Sequence, residues 1–224
     1  MMLDRHLGAA LALGAAALLA AGAAIGPNVT DNYGPTHNSL VDLYDQAGRA
    51  RLRGGLHLLA VLVGLGVVAV GHQRLPPSLG RSFFVLAGSV ATAFFALGVL
   101  ARLALVDPRL TTDAENATTL MDALARLADS AGLLAAGFAL VALAGPVGAK
   151  RRTADPVVVG GYRLAGATLA VCGFAAGIPF GADEASSVFR PGGPLTVAGG
   201  VALIVVLLAF GSELDRPGAA EPYA

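Results

Sequence analysis

The chain has 224 residues, 55% of them hydrophobic and only 13% charged, with a mean hydropathy of +0.70. A water-soluble domain carries about twice that charged fraction. Fifteen Lys and Arg balance fifteen Asp and Glu, so no basic field exists to attract nucleic acid, and a single cysteine excludes an intramolecular disulfide framework.

A hydrocarbon layer of about 30 Å needs about 20 apolar residues per helix, and six stretches qualify. They are Leu7–Ile25, Gly55–Gly71, Ser82–Val106, Ala131–Ala144, Gly161–Phe180 and Leu195–Gly211. The expected fold is therefore all-α: a polytopic integral membrane protein with a six-transmembrane-helix bundle over residues 1–213 and a short tail over 214–224. Pro146, Pro191 and Pro194 are expected at span boundaries, where proline begins or ends a helix. The first span has a rival reading as a cleaved secretory signal, because Arg5 and His6 precede an alanine-rich run ending in Ala21-Gly22-Ala23-Ala24.

Between the first two spans lies a long loop. After Asn38 and Ser39, good N-cap types, Leu40, Val41, Leu43, Tyr44 and Ala47 fall on one helical face. The loop before the fourth span carries a similar stripe, Leu120, Met121, Leu124, Leu127 and Ala128. Each predicts an amphipathic helix that lies in the interface or extends the next span. Ser39-Leu40-Val41-Asp42 and Thr119-Leu120-Met121-Asp122 also align about 80 residues apart, which raises a two-helix repeat as an alternative to convergent amphipathic patterns.

The basic residues divide almost evenly between the two faces. The short turns around Arg74 and Lys150, and the dense run Lys150-Arg151-Arg152, place both termini on the cytoplasmic side. The alanine-, glycine- and arginine-rich composition is of bacterial flavour, so the expected location is a bacterial plasma (inner) membrane. The triplets Asn28-Val29-Thr30 and Asn116-Ala117-Thr118 then read as chance matches to glycosylation sequons.

Lipid gives helices no hydrophobic reason to associate, so small residues must let them pack closely. Thirty glycines serve that need. Gly173 and Gly177 on the fifth span form a GxxxG, expected in packing within the bundle, with a homodimer seam as the other reading. On the third span Phe83 and Phe84 recur as Phe94 and Phe95 about three turns on, which suggests lipid-facing bulk or core filling.

An ionisable group at the bilayer midplane would mark a transport path, and none of the spans carries one. Ser89, Thr92, Thr168, Cys172 and Thr196 occupy the interior, where hydroxyls can bond back to their own helices. His57 and His72 lie about 22 Å apart on one helix and cannot share a haem. No spacing matches a metal motif or an activated serine, so no cofactor, no metal and no catalytic residue is expected.

One polar cluster stands above background at the outer surface: Arg49, Arg51, Arg53, His57, Arg102, Asp107, Asp122 and Asp129. Arg102 ends the third span and is expected to snorkel toward Asp107 or Asp129. Salt bridges among these groups, or an anionic lipid headgroup or acidic partner segment, would compensate the arginines. The functional expectation is a non-enzymatic accessory or scaffold subunit, with membrane lipids, other membrane subunits or a second copy as partners. The alternative is a small carrier or binding protein for an apolar or amphipathic molecule or lipid.

Overall fold

Apolar runs without water must satisfy every backbone amide internally, and a helix does so within one segment. The computed structural model describes residues 6–25, 47–105, 115–150, 156–177 and 194–215, and the described residues form six helices and no strand. These are α1 (Leu7–Ile25), α2 (Ala47–Arg74), α3 (Leu79–Leu105), α4 (Glu115–Lys150), α5 (Pro156–Gly177) and α6 (Pro194–Leu214). The first five are long and apolar enough to cross a membrane; the apolar stretch described in α6, Ala198–Leu214, is shorter.

Three differences from the sequence expectation bear on the polar ends and the packing. Arg49, Arg51 and Arg53 belong to α2 and not to a loop. Arginine and alanine are good helix formers, so the helix continues where the hydropathy falls. The stripe from Leu120 to Ala128 is continuous with the fourth span in the 36-residue α4, with Ala125 and Ala128 buried. The stripe expected before α2 falls mostly on residues 38–46, outside the described residues.

Pro146 is the third difference, because it lies inside α4 and does not end it. Its missing N–H leaves the Ala142 carbonyl without its helical donor. Gly80 of α3 packs on that spot: a Cβ there would lie 2.8 Å from Ala142 O and 2.9 Å from Pro146 Cδ. Close support by the neighbouring helix keeps the last turn in place. Pro194 begins α6 as expected, and Pro156, for which no expectation was set, begins α5, where the lost donor is one that the first turn leaves unpaired anyway; Pro191 lies outside the described residues.

Each helix packs against its neighbours in sequence, and α6 returns to α1, so the six elements form a closed ring. The most extensive packing joins α4 to α3 and to α5. Successive helices run antiparallel: Gly71 near the end of α2 meets Phe84 near the start of α3, while Gly54 near the start of α2 meets Leu103 near the end of α3. A shared core of Val67, Leu140, Leu143, Leu169, Phe210 and Leu214 fills the interior. Phe84 and Phe210 meet edge to face at 5.3 Å between ring centroids.

The outside is apolar too. Leu59, Leu62 and Leu65 on α2, Leu86, Val90 and Leu97 on α3, and Val201, Val205 and Leu208 on α6 are all exposed. A soluble monomer does not present continuous faces of this kind. The phenylalanine pairs split between the two surfaces. Phe84 is buried and Phe95 packs against the core, while Phe83 and Phe94 face outward.

The α4–α5 seam is built on glycine. A Cβ on Gly137 would lie 2.5 Å from the Ala170 nitrogen and 2.6 Å from the Gly166 oxygen, and Gly173 would meet the Leu134 nitrogen at 2.5 Å. Gly173 is thus spent on α4 of the same chain. Gly177 is the last residue of α5, and its surroundings lie outside the described residues.

Candidate functional site

Polar side chains gather at the two ends of the ring. At the end where α2 begins, the contact between Gly54 and Leu103 sets their neighbours Arg53 and Arg102 at one level. Arg102 reaches across to α4, where Nη1 donates to Asp129 Oδ1 at 3.3 Å and Nη2 to Oδ2. This fork geometry is the strong form of an arginine–carboxylate pair. Gly98, one turn before Arg102, makes room for it, since a Cβ there would lie 2.5 Å from Asp129 Oδ1. Both side chains keep partial contact with the surroundings, at 41% and 26% exposure, so the pair contributes about 1 kcal/mol rather than the value of a buried one.

His57 completes this cluster from α2. Its half-buried ring lies over Gly22 of α1, where a Cβ would come within 2.5 Å of Nε2. The imidazole reaches the Leu19 carbonyl and sits in the field of Arg53, Arg102 and Asp129. Four of the eight residues nominated from sequence therefore converge: Arg53, His57, Arg102 and Asp129. They join α1, α2, α3 and α4. Arg49 and Arg51 lie farther out on α2 and are exposed. Asp122 is in α4 two turns before Asp129, with its side chain outside the described residues, and Asp107 lies outside them altogether.

The opposite end holds a cluster that sequence reading assigned to a loop and a tail. Asp215, the residue after α6, accepts the backbone N–H groups of Gly8 at 3.2 Å and Ala9 at 3.0 Å. It also accepts Arg74 Nη1 at 2.5 Å, and His6 Nδ1 stands 3.9 Å from it. Arg74 Nη1 shares a bond with the Leu214 carbonyl at 3.3 Å. Lys150 Nζ donates to the carbonyls of Glu213 and Leu214 at 2.8 and 3.0 Å. A carboxylate thus caps the positive end of α1, and two cations cap the negative end of α6, which is the favourable sense for each helix dipole. The available signal was a carboxylate four residues past the last apolar run, on the same side as the basic ends of the second and fourth spans.

Between the two ends the polar groups turn inward on themselves. Thr92 donates to the Ser89 carbonyl at 2.8 Å and Thr168 to the Leu164 carbonyl at 2.9 Å. Cys172 is buried, with its Cβ facing Gly199. Among the described residues no group of three or more His, Cys, Asp or Glu could hold a metal ion.

Among the described residues these features define an all-helical protein with five apolar, membrane-length helices and an arginine–aspartate ion pair at each end. Comparison with known protein families, with characterised proteins and with solved structures gives no match.

Proposed function

We propose that all six helices span a bacterial plasma membrane with both termini cytoplasmic, and that the protein is a non-enzymatic accessory or scaffold subunit of a membrane complex. The observation that carries the reading is the spacing of the two polar ends around an exposed apolar belt. Asp129 and Lys150 are 21 residues apart on α4, about 31 Å, which matches the hydrocarbon thickness of a bilayer. The ionisable groups at both ends tie helices to one another, and the interior is filled by core side chains from every helix. Such a body suits a fixed structural part.

Two experiments test this. Native mass spectrometry after gentle detergent extraction should show a discrete heteromeric mass; a monomer or homodimer carrying a small molecule would replace the scaffold reading with the carrier. For orientation, the exposed Ser78 lies in the turn between α2 and α3 and the exposed Gly48 near the start of α2. In a Cys172→Ser background, Gly48→Cys should react with an impermeant maleimide on intact cells and Ser78→Cys only after permeabilisation. The reverse pattern would invert the topology.

A further inference from the structure

We infer that Arg163, on the lipid-facing side of the α4–α5 seam, holds the phosphate of an anionic phospholipid. The inference rests on the membrane-spanning reading and adds what that face binds.

Depth comes first. The seam contacts fix the register of the two helices: Gly166 lies against Val141 and Gly148 against Val159, so Arg163 is level with Ala144. Ala144 is six residues before Lys150 on α4, or about 9 Å toward the middle of the membrane. Arg163 is nonetheless exposed, and α5 also exposes Leu164, Val171 and Phe174. A permanent charge therefore starts inside the apolar layer on a face turned to lipid, where it is costly unless compensated. Among the described residues, Asp129 sits at the opposite end, Asp215 is taken by Arg74 and Glu213 is buried, and no hydrogen bond or ion pair engages Arg163.

Direction selects the ligand. Side chains on an α-helix lean toward its N-terminus, and α5 begins at the membrane surface beside the end of α4. The guanidinium of Arg163 is thus aimed over the preceding turn toward the lipid headgroups, and an extended side chain covers most of that depth. The way is open. Gly160 in the preceding turn and Gly145 across the seam on α4 are exposed, and a Cβ at either would meet nothing within 4 Å. Deeper in the membrane, Ala167 and Phe174 continue the same exposed face of α5, with Phe138 and Val141 exposed on α4. Acyl chains can lie along that seam while the phosphate meets the guanidinium, whose parallel donors match two phosphate oxygens. The positive end of the α5 dipole lies on the same side. A zwitterionic lipid brings its own cation to the phosphate and should bind less well. A lipid held on this outside face leaves the interior filled, so it is not the cargo of a carrier.

For the test, purified protein is inserted into phosphatidylcholine vesicles containing a minority of phosphatidylglycerol. It is then released in mild detergent and weighed by native mass spectrometry, which counts the lipids of each kind that stay bound. The wild type should retain phosphatidylglycerol in excess of its share of the vesicle. Arg163→Gln should lower that excess about fivefold at low salt, and Arg163→Lys should keep most of it. Arg49→Gln, which removes an exposed arginine from the opposite membrane surface, should leave it unchanged. Both positions are exposed, so helix content should be the same in every variant. An unaltered excess in Arg163→Gln overturns the site, and so does an equal loss in Arg49→Gln, which would mean that overall charge alone gathers the lipid. An unaltered excess together with loss of a co-purifying protein also overturns it and assigns Arg163 to an acidic partner. Failure of the wild type to insert would overturn the spanning reading itself, whereas insertion with no excess overturns this inference alone.

Discussion

Gly166→Leu should destabilise the bundle by about 3 kcal/mol, read as a lowered midpoint in SDS-induced unfolding from mixed micelles. A Cβ at this position would lie 2.6 Å from the Gly137 oxygen, 2.9 Å from the Val141 nitrogen and 2.8 Å from Val141 Cγ2. Two of those three atoms are backbone, so no rotamer change relieves the overlap. The helices must separate, and separation loses the dispersion contacts that hold membrane helices together. Gly160→Leu, on the same helix, is the control. Nothing lies within 4 Å of its Cβ position, and its effect should stay within about 0.5 kcal/mol. Equal losses in the two variants would mean that leucine in α5 is harmful for reasons unrelated to the α4 seam. The oligomeric state should not change in either variant, because the face carrying Gly166 and Gly173 is already occupied by α4 of the same chain.

The apolar middles of the helices were legible in sequence because lipid-length hydropathy leaves little freedom. Leu7–Ile25 coincides with α1 at both ends. Charged residues near helix ends blurred the rest. Arg49, Arg51 and Arg53 lower the hydropathy at the start of α2, and Asp122, Arg126 and Asp129 do the same for α4, yet backbone hydrogen bonding continues through both. Amphipathic ends of spans look like loops to a hydropathy window. Pro146 was misplaced for a different reason: its tolerance depends on Gly80, which belongs to another helix.

Depth arithmetic accounts for the readable half of the site. Arg102 had to sit at an interface, and a partner from a neighbouring helix at the same depth followed from that. The convergence on His57 required Gly22, a small residue whose value comes only from what packs on it. The cluster around Asp215 was harder still. It joins the two ends of the described chain, and sequence order carries no hint that α6 closes on α1.

That closure leads to the second large effect. Asp215→Ala should cost about 2–3 kcal/mol. The carboxylate accepts three hydrogen bonds, from Gly8, Ala9 and Arg74. Its loss takes the counter-charge from a guanidinium whose side chain is only 24% exposed, beside a carboxylate position that is 10% exposed, and leaves the Leu214 carbonyl unable to neutralise it. Asp215→Asn should fall between wild type and alanine, since an amide oxygen can still cap α1 but cannot neutralise Arg74. Arg74→Ala combined with Asp215→Ala should cost less than the sum of the single changes by about 1 kcal/mol or more, the mark of a direct pair. Damage should start locally. Gly8 sits 2.7 Å from Leu214 Cβ and Gly211 2.5 Å from Ala12 Cβ, measured from ideal Cβ positions, so α1 and α6 touch closely only while their ends are tied. Amide exchange should therefore rise first in the opening turn of α1 and the closing turn of α6, with the α4–α5 seam still protected. Additive single effects, or exchange that rises uniformly over the bundle, would remove Asp215 from its place as the link that closes the ring. The α1–α6 seam would then rest on its small residues alone.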